Sequence, residues 1–414
     1  MEIRAITFFT RLPAHATANE MLKQLRPLGQ QAALVEQQFT AAGFEIQSLR
    51  LATQPLDQLL PNGATPSELG KFAADYEQAA GQAGFKHLAL GTLGAGNAAG
   101  DEPLIEQLLA GLPSVIGATD WVFSSVQLAD KGRGFKSQLL PAAAQVVIDN
   151  APMKPDGFGN LRYCMVANMP PFSPFFPAAW HDGESPAAFS IAIESADRLV
   201  ELLTELDAGE QRWAAGPALT KCFNQLGGEL DALATVAAEA TGLDYRGIDM
   251  TPSPYPSLPR SLGQAVELLS GEPFGGPGTV AAVALIKQSL DAADFNRAGY
   301  CGVMLLPLED AVLAQRAEQQ RYDTATLFAC AAVGATGLDV IPVSGDLPRQ
   351  KIEGLMRDTA QLALALDKPL TVRLLPVPGL SAGQPTNFDF DYFAPIRVFG
   401  LPGSDSQGSR LPAG

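Results

Sequence analysis

The sequence predicts an α/β protein in which a mostly parallel sheet is covered by helices. Short runs of β-branched and apolar residues alternate along the chain with longer stretches in which apolar residues recur at helical spacing. Several of the short runs, such as GVMLLPL (302–308), are apolar at nearly every position, which is typical of strands covered on both faces. These two observations predict a sheet that is closed or covered on both sides.

Ten runs predict strands, and each is followed by a helical stretch or by a turn rich in proline and glycine. In chain order the predicted strands are 3–9, 46–52, 87–93, 121–127, 163–169, 189–195, 247–250, 302–308, 338–343 and 370–377. The principal predicted helices are 20–42, 103–112, 199–205, 226–240, 279–290, 324–333 and 351–366. We expect one domain over residues 1–400, with halves of about 1–180 and 181–400, and a C-terminal tail over 401–414.

Charge and composition exclude one class of partner. The 414 residues include 28 Lys and Arg against 44 Asp and Glu, a net charge of −16, and no basic stretch occurs that would bind a phosphate backbone. Charged residues make up 17% of the chain, below the usual level of about 25%, which indicates a large buried core. We therefore expect no nucleic-acid partner.

Membrane insertion and export are not expected either. The apolar core of the N-terminal stretch is six residues long, too short for a signal sequence, and no apolar run reaches 18 residues. The four cysteines have no metal-binding spacing, and the three histidines are dispersed. These features predict a cytoplasmic protein with reduced thiols.

Acidic residues occur where predicted strands end. In parallel α/β folds the carboxyl ends of the strands meet at one edge, where functional side chains are usually found. Carboxylates crowded there would either raise one pKa, giving a catalytic acid or base, or hold a cation such as Mg²⁺ or Ca²⁺. The alternative is that each acid only caps a helix or folds a turn. The candidate catalytic acids are Asp249, Glu309, Asp310 and Asp339, and the candidate metal ligands are Glu194, Asp249 and Asp339.

A glycine-rich stretch and one arginine indicate a bound anion. In EPFGGPGTVAAVALIKQSL the glycines precede a predicted helix whose first N–H groups would face an anion, although a tight start of the helix explains them equally well. The stretch lacks the Gly-Lys-Ser/Thr of a phosphate-binding loop, so no nucleotide cofactor is indicated. Arg373 lies on an otherwise apolar strand and could hold a carboxylate or phosphate through two parallel hydrogen bonds. The candidate substrate-binding residues are Gly275, Gly276, Gly278, Thr279, Arg373 and Ser253.

One histidine and the apolar residues before it complete the candidates. His181 lies in a loop beside Asp182, where a histidine could carry protons near neutral pH, although a single loop histidine is more often incidental. It is the last candidate catalytic residue. The preceding PPFSPFFP (170–177) predicts a rigid apolar plug or lid, or a patch that contacts a second copy of the chain. A homo-oligomer is therefore one expectation.

Several long blocks of the sequence occur together in one family. They are GIDMTPSPYPSLPRSLGQAVELL, FGGPGT, GYCGVMLLPLEDAVLA, CAAVGATGLDVIPVSGDLP and DKPLTVRLLPVPGLSAG, with IRAITFF, PFFPAAWH and SIAIES before them. Across nearly its whole length the chain thus resembles the uncharacterised family called domain of unknown function 711. The recurring motifs of that family correspond to Glu194, Asp249, the glycines from Gly275 to Gly278, Glu309, Asp310, Asp339, Asp346, Arg373 and Gly383.

The resemblance implies a fold more than an activity. It implies a barrel similar to that of pyruvate formate-lyase-like glycyl radical enzymes, in which two five-stranded parallel halves run antiparallel to each other and close on ten strands, with helices outside. A radical enzyme of that kind needs a loop cysteine and a C-terminal glycine, and Cys301 and Gly400 occupy comparable places. Leu401 stands where an aromatic residue is expected, no paired cysteine occurs, and 414 residues is short for that class.

The leading hypothesis is a cytoplasmic enzyme that acts on a small anionic metabolite. It would be a lyase, isomerase or hydrolase without a redox cofactor, in which the acids transfer protons or hold a cation. Arg373 and the glycine-rich helix start would bind the anion. The alternative hypothesis is a ligand-binding or regulatory protein on the same fold, without catalysis.

Overall fold

Eleven strands form the central sheet of the computed structural model, which describes residues 2–96, 101–206 and 210–401. The strands are β1 (Glu2–Phe9), β2 (Glu45–Ile46), β3 (Leu49–Pro55), β4 (His87–Gly91), β5 (Val122–Asp130), β6 (Gly134–Phe135), β7 (Tyr163–Ala167), β8 (Ala188–Glu194), β9 (Asp244–Asp249), β10 (Gly337–Ser344) and β11 (Leu370–Val377). Nine of the ten predicted strands coincide with β1, β3, β4, β5 and β7 to β11. The predicted tail lies outside the described residues except for Leu401, which is buried.

Helices surround the sheet, as the alternating pattern predicts. In the described ranges they are α1 (Ala18–Ala41), α2 (Leu56–Leu59), α3 (Pro66–Gln82), α4 (Glu102–Ala118), α5 (Leu140–Asn150), α6 (Ala196–Glu205), α7 (Glu210–Trp213), α8 (Gly216–Thr241), α9 (Leu262–Ser270), α10 (Thr279–Asp291), α11 (Ala311–Glu318), α12 (Thr324–Val333) and α13 (Arg349–Leu366). Both α1 and α3 begin at capping boxes, in which Thr17 pairs with Glu20 and Thr65 with Glu68. In the part of the chain that the structure describes, no helix has the length and apolarity needed to cross a membrane.

The sheet contains parallel strands that run in two opposite directions. From one edge to the other the order is β10-β11-β7-β5-β4-β3-β1-β8-β9, and the short β2 and β6 pair beside β1 and β5. β1, β3, β4, β5 and β7 are parallel neighbours, whereas β8 is antiparallel to β1 and β11 is antiparallel to β7. The predicted α/β class is confirmed. The ladder of strands ends at β9 and at β10, so these strands alone do not form the closed ten-stranded barrel that the resemblance implies.

Residues 302–308, the eighth predicted strand, do not form a strand, and this prediction is wrong. The chain turns just before them because the carboxylate of Asp249 accepts the backbone N–H groups of Tyr300 and Cys301, which removes both groups from any ladder. Cys301 adopts a positive φ of 43°, which a strand does not allow. The side chains from 303 to 308 are nevertheless buried, so the apolar run indicated burial correctly but not backbone conformation.

Residues 169–181, which we call the inserted segment, run inside the curved sheet. The hydroxyl of Ser190 in β8 donates to the carbonyl of Phe172 at 2.7 Å. From the other side, the guanidinium of Arg373 in β11 lies 3.5 Å from the carbonyl of Phe176. Five strands separate β11 from β8 in the ladder. One segment can contact both strands because the sheet curls around it.

The inserted segment fills the inside of the sheet with apolar side chains. A second apolar cluster, separate from the main core, contains Phe9, Ala52, Ala89, Phe123, Phe172, Phe176, Ala179 and Ala188. The interpretation of this stretch as a plug is therefore confirmed, and its phenylalanines offer no exposed patch to a second copy of the chain. The homo-oligomer stays a prediction, without these side chains as its interface.

Candidate functional site

A cavity of about 280 Å³ opens at one end of the strands of the sheet. Arg4, Arg50 and His87 line the cavity from near the beginnings of β1, β3 and β4. Asp249 lines it from the last residue of β9. The amino ends of the first-half strands meet the carboxyl ends of β8 and β9 here because the two sets run in opposite directions. Looking for functional residues only at the carboxyl ends of strands therefore finds the lining residues of the second half of the chain and misses those of the first half.

Two of the four arginines that line the cavity are paired with carboxylates, and Arg162 donates to the Thr119 hydroxyl and to two backbone carbonyls. Nη2 of Arg4 lies 2.5 Å from Oε2 of Glu309. Arg373 and Asp339 form a two-pronged pair, with Nε 2.5 Å from Oδ1 and Nη2 2.9 Å from Oδ2. The sequence predicts that the Arg373 guanidinium holds a substrate by two parallel hydrogen bonds. In the structure Asp339 already accepts both of these hydrogen bonds.

The fourth arginine, Arg50, has no carboxylate partner among the described residues. Its Nε donates to the hydroxyl of Ser48 at 2.9 Å, and its guanidinium lies 5.2 Å from the centre of the Phe176 ring. Burial, followed by the positive charge of Arg4, lowers the pKa of Arg50 to about 9. The cavity thus contains a positive charge that an anion would stabilise.

Glu309 is the predicted acid that the structure leaves most available in the cavity. It is buried and lines the cavity, and its Oε2 accepts a hydrogen bond from Arg4. Among the described residues no hydrogen bond to its Oε1 is found. A carboxylate oxygen with spare capacity beside a cavity can accept a proton from a ligand.

Asp249 also lines the cavity, but its carboxylate is occupied by the protein. Oδ1 accepts from the backbone N–H groups of Thr251 and Cys301 and from the Thr251 hydroxyl, and Oδ2 accepts from the N–H of Tyr300. Burial raises the pKa of Asp249. Gly299 permits the approach, since its φ is +66° and a Cβ there would lie 2.2 Å from Oδ2. The carboxylate therefore holds the turn that carries Cys301.

The carboxylates of the remaining predicted acids are bound by other groups of the protein. Asp310 is the N-cap of α11, and its oxygens accept from the backbone N–H groups of Val312, Leu313 and Gly263 and from the hydroxyl of Ser261. This is the capping role that the sequence leaves as the alternative.

Glu194 belongs to an ion-pair network at the side of the cavity. Its carboxylate contacts Arg260, accepts from Gln47 at 2.7 Å and lies 3.6 Å from Arg4. Burial raises the pKa of Glu194. The three predicted metal ligands, Glu194, Asp249 and Asp339, therefore have three different sets of partners. In the described residues no group of three His, Cys, Asp or Glu side chains is placed to hold a metal ion.

The glycine-rich stretch does not line the cavity. The hydroxyl of Thr279 accepts from the backbone N–H of Gly275 at 3.0 Å, and Gly278, with φ +91°, precedes the first residue of α10. Gly275 has φ +93°, and a Cβ there would lie 2.3 Å from the carbonyl oxygen of Arg321. Gly276 forms the same turn, since its carbonyl accepts from Thr279. The geometry is that of a tight helix start.

Two further predicted residues have different positions. His181 is buried away from the cavity; its Nδ1 accepts from the N–H of Gly183 at 2.9 Å, and Nε2 lies 3.2 Å from the carbonyl of Pro186. Burial lowers the pKa of His181. Ser253 does line the cavity, where its Oγ lies 3.9 Å from the sulfur of Met304.

Cys301 and Gly400 lie near opposite ends of β10. Val303, two residues after Cys301, pairs with Ala335, whereas Phe399, next to Gly400, pairs with Val343. The eight residue steps from 335 to 343 correspond to roughly 26 Å of extended chain. Burial raises the pKa of the Cys301 thiol to about 12. The structure therefore does not bring the two residues of the radical hypothesis together.

Sequence reasoning missed Arg4, Arg50, His87 and the aromatic side chains around the cavity mouth. The aromatic lining residues that it missed are Trp121, Phe123, Phe158, Phe390 and Tyr392. A signal was present for the arginines, because each interrupts an apolar strand, as in EIRAITFF and LRLATQP. A charged residue inside such a strand must face water, a partner or a ligand.

The fold is that of an α/β protein with a cavity between two oppositely directed sets of strands. Comparison with known proteins identifies its relatives. Residues 1–391 match the model of the family described as Uncharacterised ACR (DUF711), and the chain belongs to this family. A UPF0210 protein of Pyrobaculum aerophilum is 30% identical in an alignment 414 residues long. The alignment covers 93% of this chain and 87% of the relative.

Two other organisms have similar proteins. A UPF0210 protein of Methanopyrus kandleri is 27% identical, over 93% of this chain and 88% of its own. One from Lactobacillus delbrueckii subsp. bulgaricus is 26% identical, over 90% of this chain and 84% of its own. The resemblance seen in the sequence blocks is thus confirmed along the chain.

Proposed function

We propose that the cavity binds a small organic anion and that the protein is an enzyme that moves a proton on that anion. The observation that carries the proposal is Arg50, a guanidinium without a carboxylate partner among the described residues that lines the cavity. A planar guanidinium binds a carboxylate or phosphate by two parallel hydrogen bonds. Arg4 and Arg373 line the same cavity and add to its positive potential.

Proton transfer is assigned to Glu309. Of the two predicted acids that line the cavity, Asp249 accepts four hydrogen bonds from the protein, whereas Glu309 accepts one from Arg4. Isomerase and lyase reactions that begin with loss of a proton next to a carboxylate need one base beside cationic groups that stabilise the developing charge. Glu309 beside Arg4 and Arg50 supports that class over hydrolysis.

Calorimetric titration of the full chain with pyruvate, succinate and inorganic phosphate tests the binding step. We expect at least one of the three to bind, and Arg50→Gln to weaken that binding by about 10-fold or more. Arg198→Gln is the matched control, because Arg198 is an exposed arginine of α6 paired with Glu201. Binding that survives Arg50→Gln unchanged, or no binding of any probe, contradicts the proposal.

The catalytic step needs its own measurement. We expect the wild type to exchange protons next to the carboxylate of a bound probe for deuterium, followed by NMR in heavy water. Glu309→Gln should keep the affinity and lose the exchange. Binding without exchange in the wild type would instead support the non-catalytic alternative, a ligand-binding or regulatory protein.

We further propose that residues 297–303, which form no continuous strand, bridge the two ends of the ladder and so close the ten-stranded barrel. Isolated bridges support this, because Arg297 pairs with Ile248 of β9 and Val303 pairs with Ala335, two residues before β10. These bridges lie between the two ends of the ladder. Slow hydrogen exchange at the Val303 amide would support closure, and exchange at the rate of an open loop would contradict it.

The cytoplasm is the location that we propose for this activity. Cys164, Cys222, Cys301 and Cys330 are all free thiols in the structure, as suits a reducing compartment. Thiol titration of protein isolated under denaturing, alkylating conditions should find all four reduced. Fewer reduced thiols would contradict the location.

A further inference from the structure

We infer that the ligand of this cavity is a single-ring aromatic acid, whose acid group meets Arg50 and whose ring lies against the aromatic side chains at the mouth. This inference rests on the proposed anion site and deepens it by naming the class of molecule. It is carried by a second set of residues, Trp121, Phe158, Phe390 and Tyr392, which the arginine argument does not use.

Trp121 is held in place at the rim although it is 39% exposed. The His87 ring meets it edge-on at 4.9 Å, and the ammonium of Lys86 lies 4.7 Å from the centre of the indole ring. Its backbone N–H donates to the carboxylate of Glu77 at 2.6 Å. A tryptophan fixed by three neighbours and still exposed beside a cavity is suited to contact a flat apolar group.

Aromatic side chains from two further segments, a 3-10 helix over Pro155–Arg162 and the stretch after β11, also line the cavity. Phe158 and Phe390 are in edge-to-face contact at 5.1 Å, and Tyr392 lies 5.3 Å from Phe390. All three are only half-buried, so part of each ring remains accessible. Aromatic pairs prefer edge-to-face or offset contacts, and a ligand ring can add to such a set.

The cavity places two of its guanidinium groups beside further aromatic rings. Phe175 and Phe176 of the inserted segment line it, with the guanidinium of Arg373 5.6 Å from the first ring centre and that of Arg50 5.2 Å from the second. Exposed or half-buried aromatic rings and guanidinium groups in one cavity match a molecule with a ring at one end and an acid at the other.

The volume limits the size of that molecule. At about 280 Å³ the cavity is at or below the small end of the range of roughly 300–1,000 Å³ that is usual for ligand sites. One ring with a short acid side chain suits this space better than a nucleotide does. His87 adds no competing charge, since burial and then the nearby Arg50 lower its pKa to about 3, which leaves the imidazole neutral at pH 7.

Matched probes test the inference by calorimetry. Benzoate and phenyl phosphate are compared with cyclohexanecarboxylate and cyclohexyl phosphate, which carry the same acids on a saturated ring. We expect the aromatic member of at least one pair to bind about 10-fold more tightly. Trp121→Leu should remove most of that preference. Trp213→Leu is the control, because Trp213 is 42% exposed but does not line the cavity.

The outcomes separate this inference from the proposal beneath it. Aromatic preference that depends on Trp121 supports the inference. Probes that bind through Arg50 with no aromatic preference overturn the inference and leave the anion site standing. An aromatic preference that Trp121→Leu does not change also overturns it, because the ring would then be bound elsewhere. If no anion binds at all, the proposed function fails as well.

Discussion

Arg4 and Glu309 stand 305 positions apart in the chain, yet Nη2 of the arginine lies 2.5 Å from Oε2 of the glutamate. Arg4 belongs to the first strand, and Glu309 lies in the turn just before α11. Both side chains are largely buried. This ion pair therefore joins the two halves of the chain at the cavity and sets part of its charge.

Removing Arg4 should destabilise the protein through Glu309. Arg4→Gln leaves the Glu309 carboxylate buried without its cation, so we expect the free energy of unfolding to fall by about 3 kcal/mol. Urea denaturation at pH 7 measures it. Adding Glu309→Gln to the same variant should restore part of the loss, because the uncompensated charge is then gone. A loss below about 1 kcal/mol would show that the pair behaves like a surface ion pair.

Removing Arg50 should have the opposite effect on stability. No carboxylate among the described residues neutralises it, so Arg50→Gln should leave stability unchanged or raise it by about 1 kcal/mol at pH 7. Burial lowers the pKa of Arg50 to about 9, so above that pH the folded state binds fewer protons than the unfolded state. The stability of the wild type relative to Arg50→Gln should therefore rise from pH 8 to pH 10, as urea denaturation can show. A marked loss on substitution would show that an anionic partner is present.

His87 should make stability depend on pH below neutrality. Its pKa is about 3 in the folded protein, against 6.5 for an ordinary histidine, so the unfolded state gains the proton first as the pH falls. The free energy of unfolding should therefore fall by about 2 kcal/mol between pH 7 and pH 5. His87→Asn should remove this slope, measured by thermal unfolding in matched buffers. His15→Asn, at an exposed loop position, should keep it.

Phe172 should be among the costly positions of the inner cluster. It packs edge-on against Phe9 at 5.4 Å, and the guanidinium of Arg246 covers it at 4.4 Å. Phe172→Ala should lower the free energy of unfolding by about 3–5 kcal/mol. The milder Phe172→Leu serves if the alanine variant does not fold. Leu34→Ala, at an exposed position of α1, should cost less than about 0.5 kcal/mol. Equal effects at the two positions would contradict the inner placement.

Local patterns in the sequence predicted the elements of the fold well. Nine of ten strands lie where β-branched runs occur, because side chains two positions apart share a face and report burial directly. The run 302–308 shows the limit of this signal. Its burial was evident, but its conformation depends on Asp249, more than 50 positions earlier, which takes the N–H groups of Tyr300 and Cys301.

The candidate site was predictable only in part. Glu309, Asp249, Arg373 and Ser253 do line the cavity, whereas Asp310 caps a helix. The sequence offered both roles for such acids, and the choice between them depends on which donors lie nearby. No local pattern contains that information, because the donors come from other segments.

The sequence by itself determined the family, the α/β class, most strand positions and the apolar character of the inserted segment. Tertiary structure decided where the candidate site lies. The two sets of strands run in opposite directions, so the amino ends of β1, β3 and β4 reach the same edge as the carboxyl end of β9. Arg50 therefore lies in a cavity with Arg4, Arg373 and Glu309. Hydrogen bonds and ion pairs between side chains depend on distance in space, and distance along the chain does not reveal it.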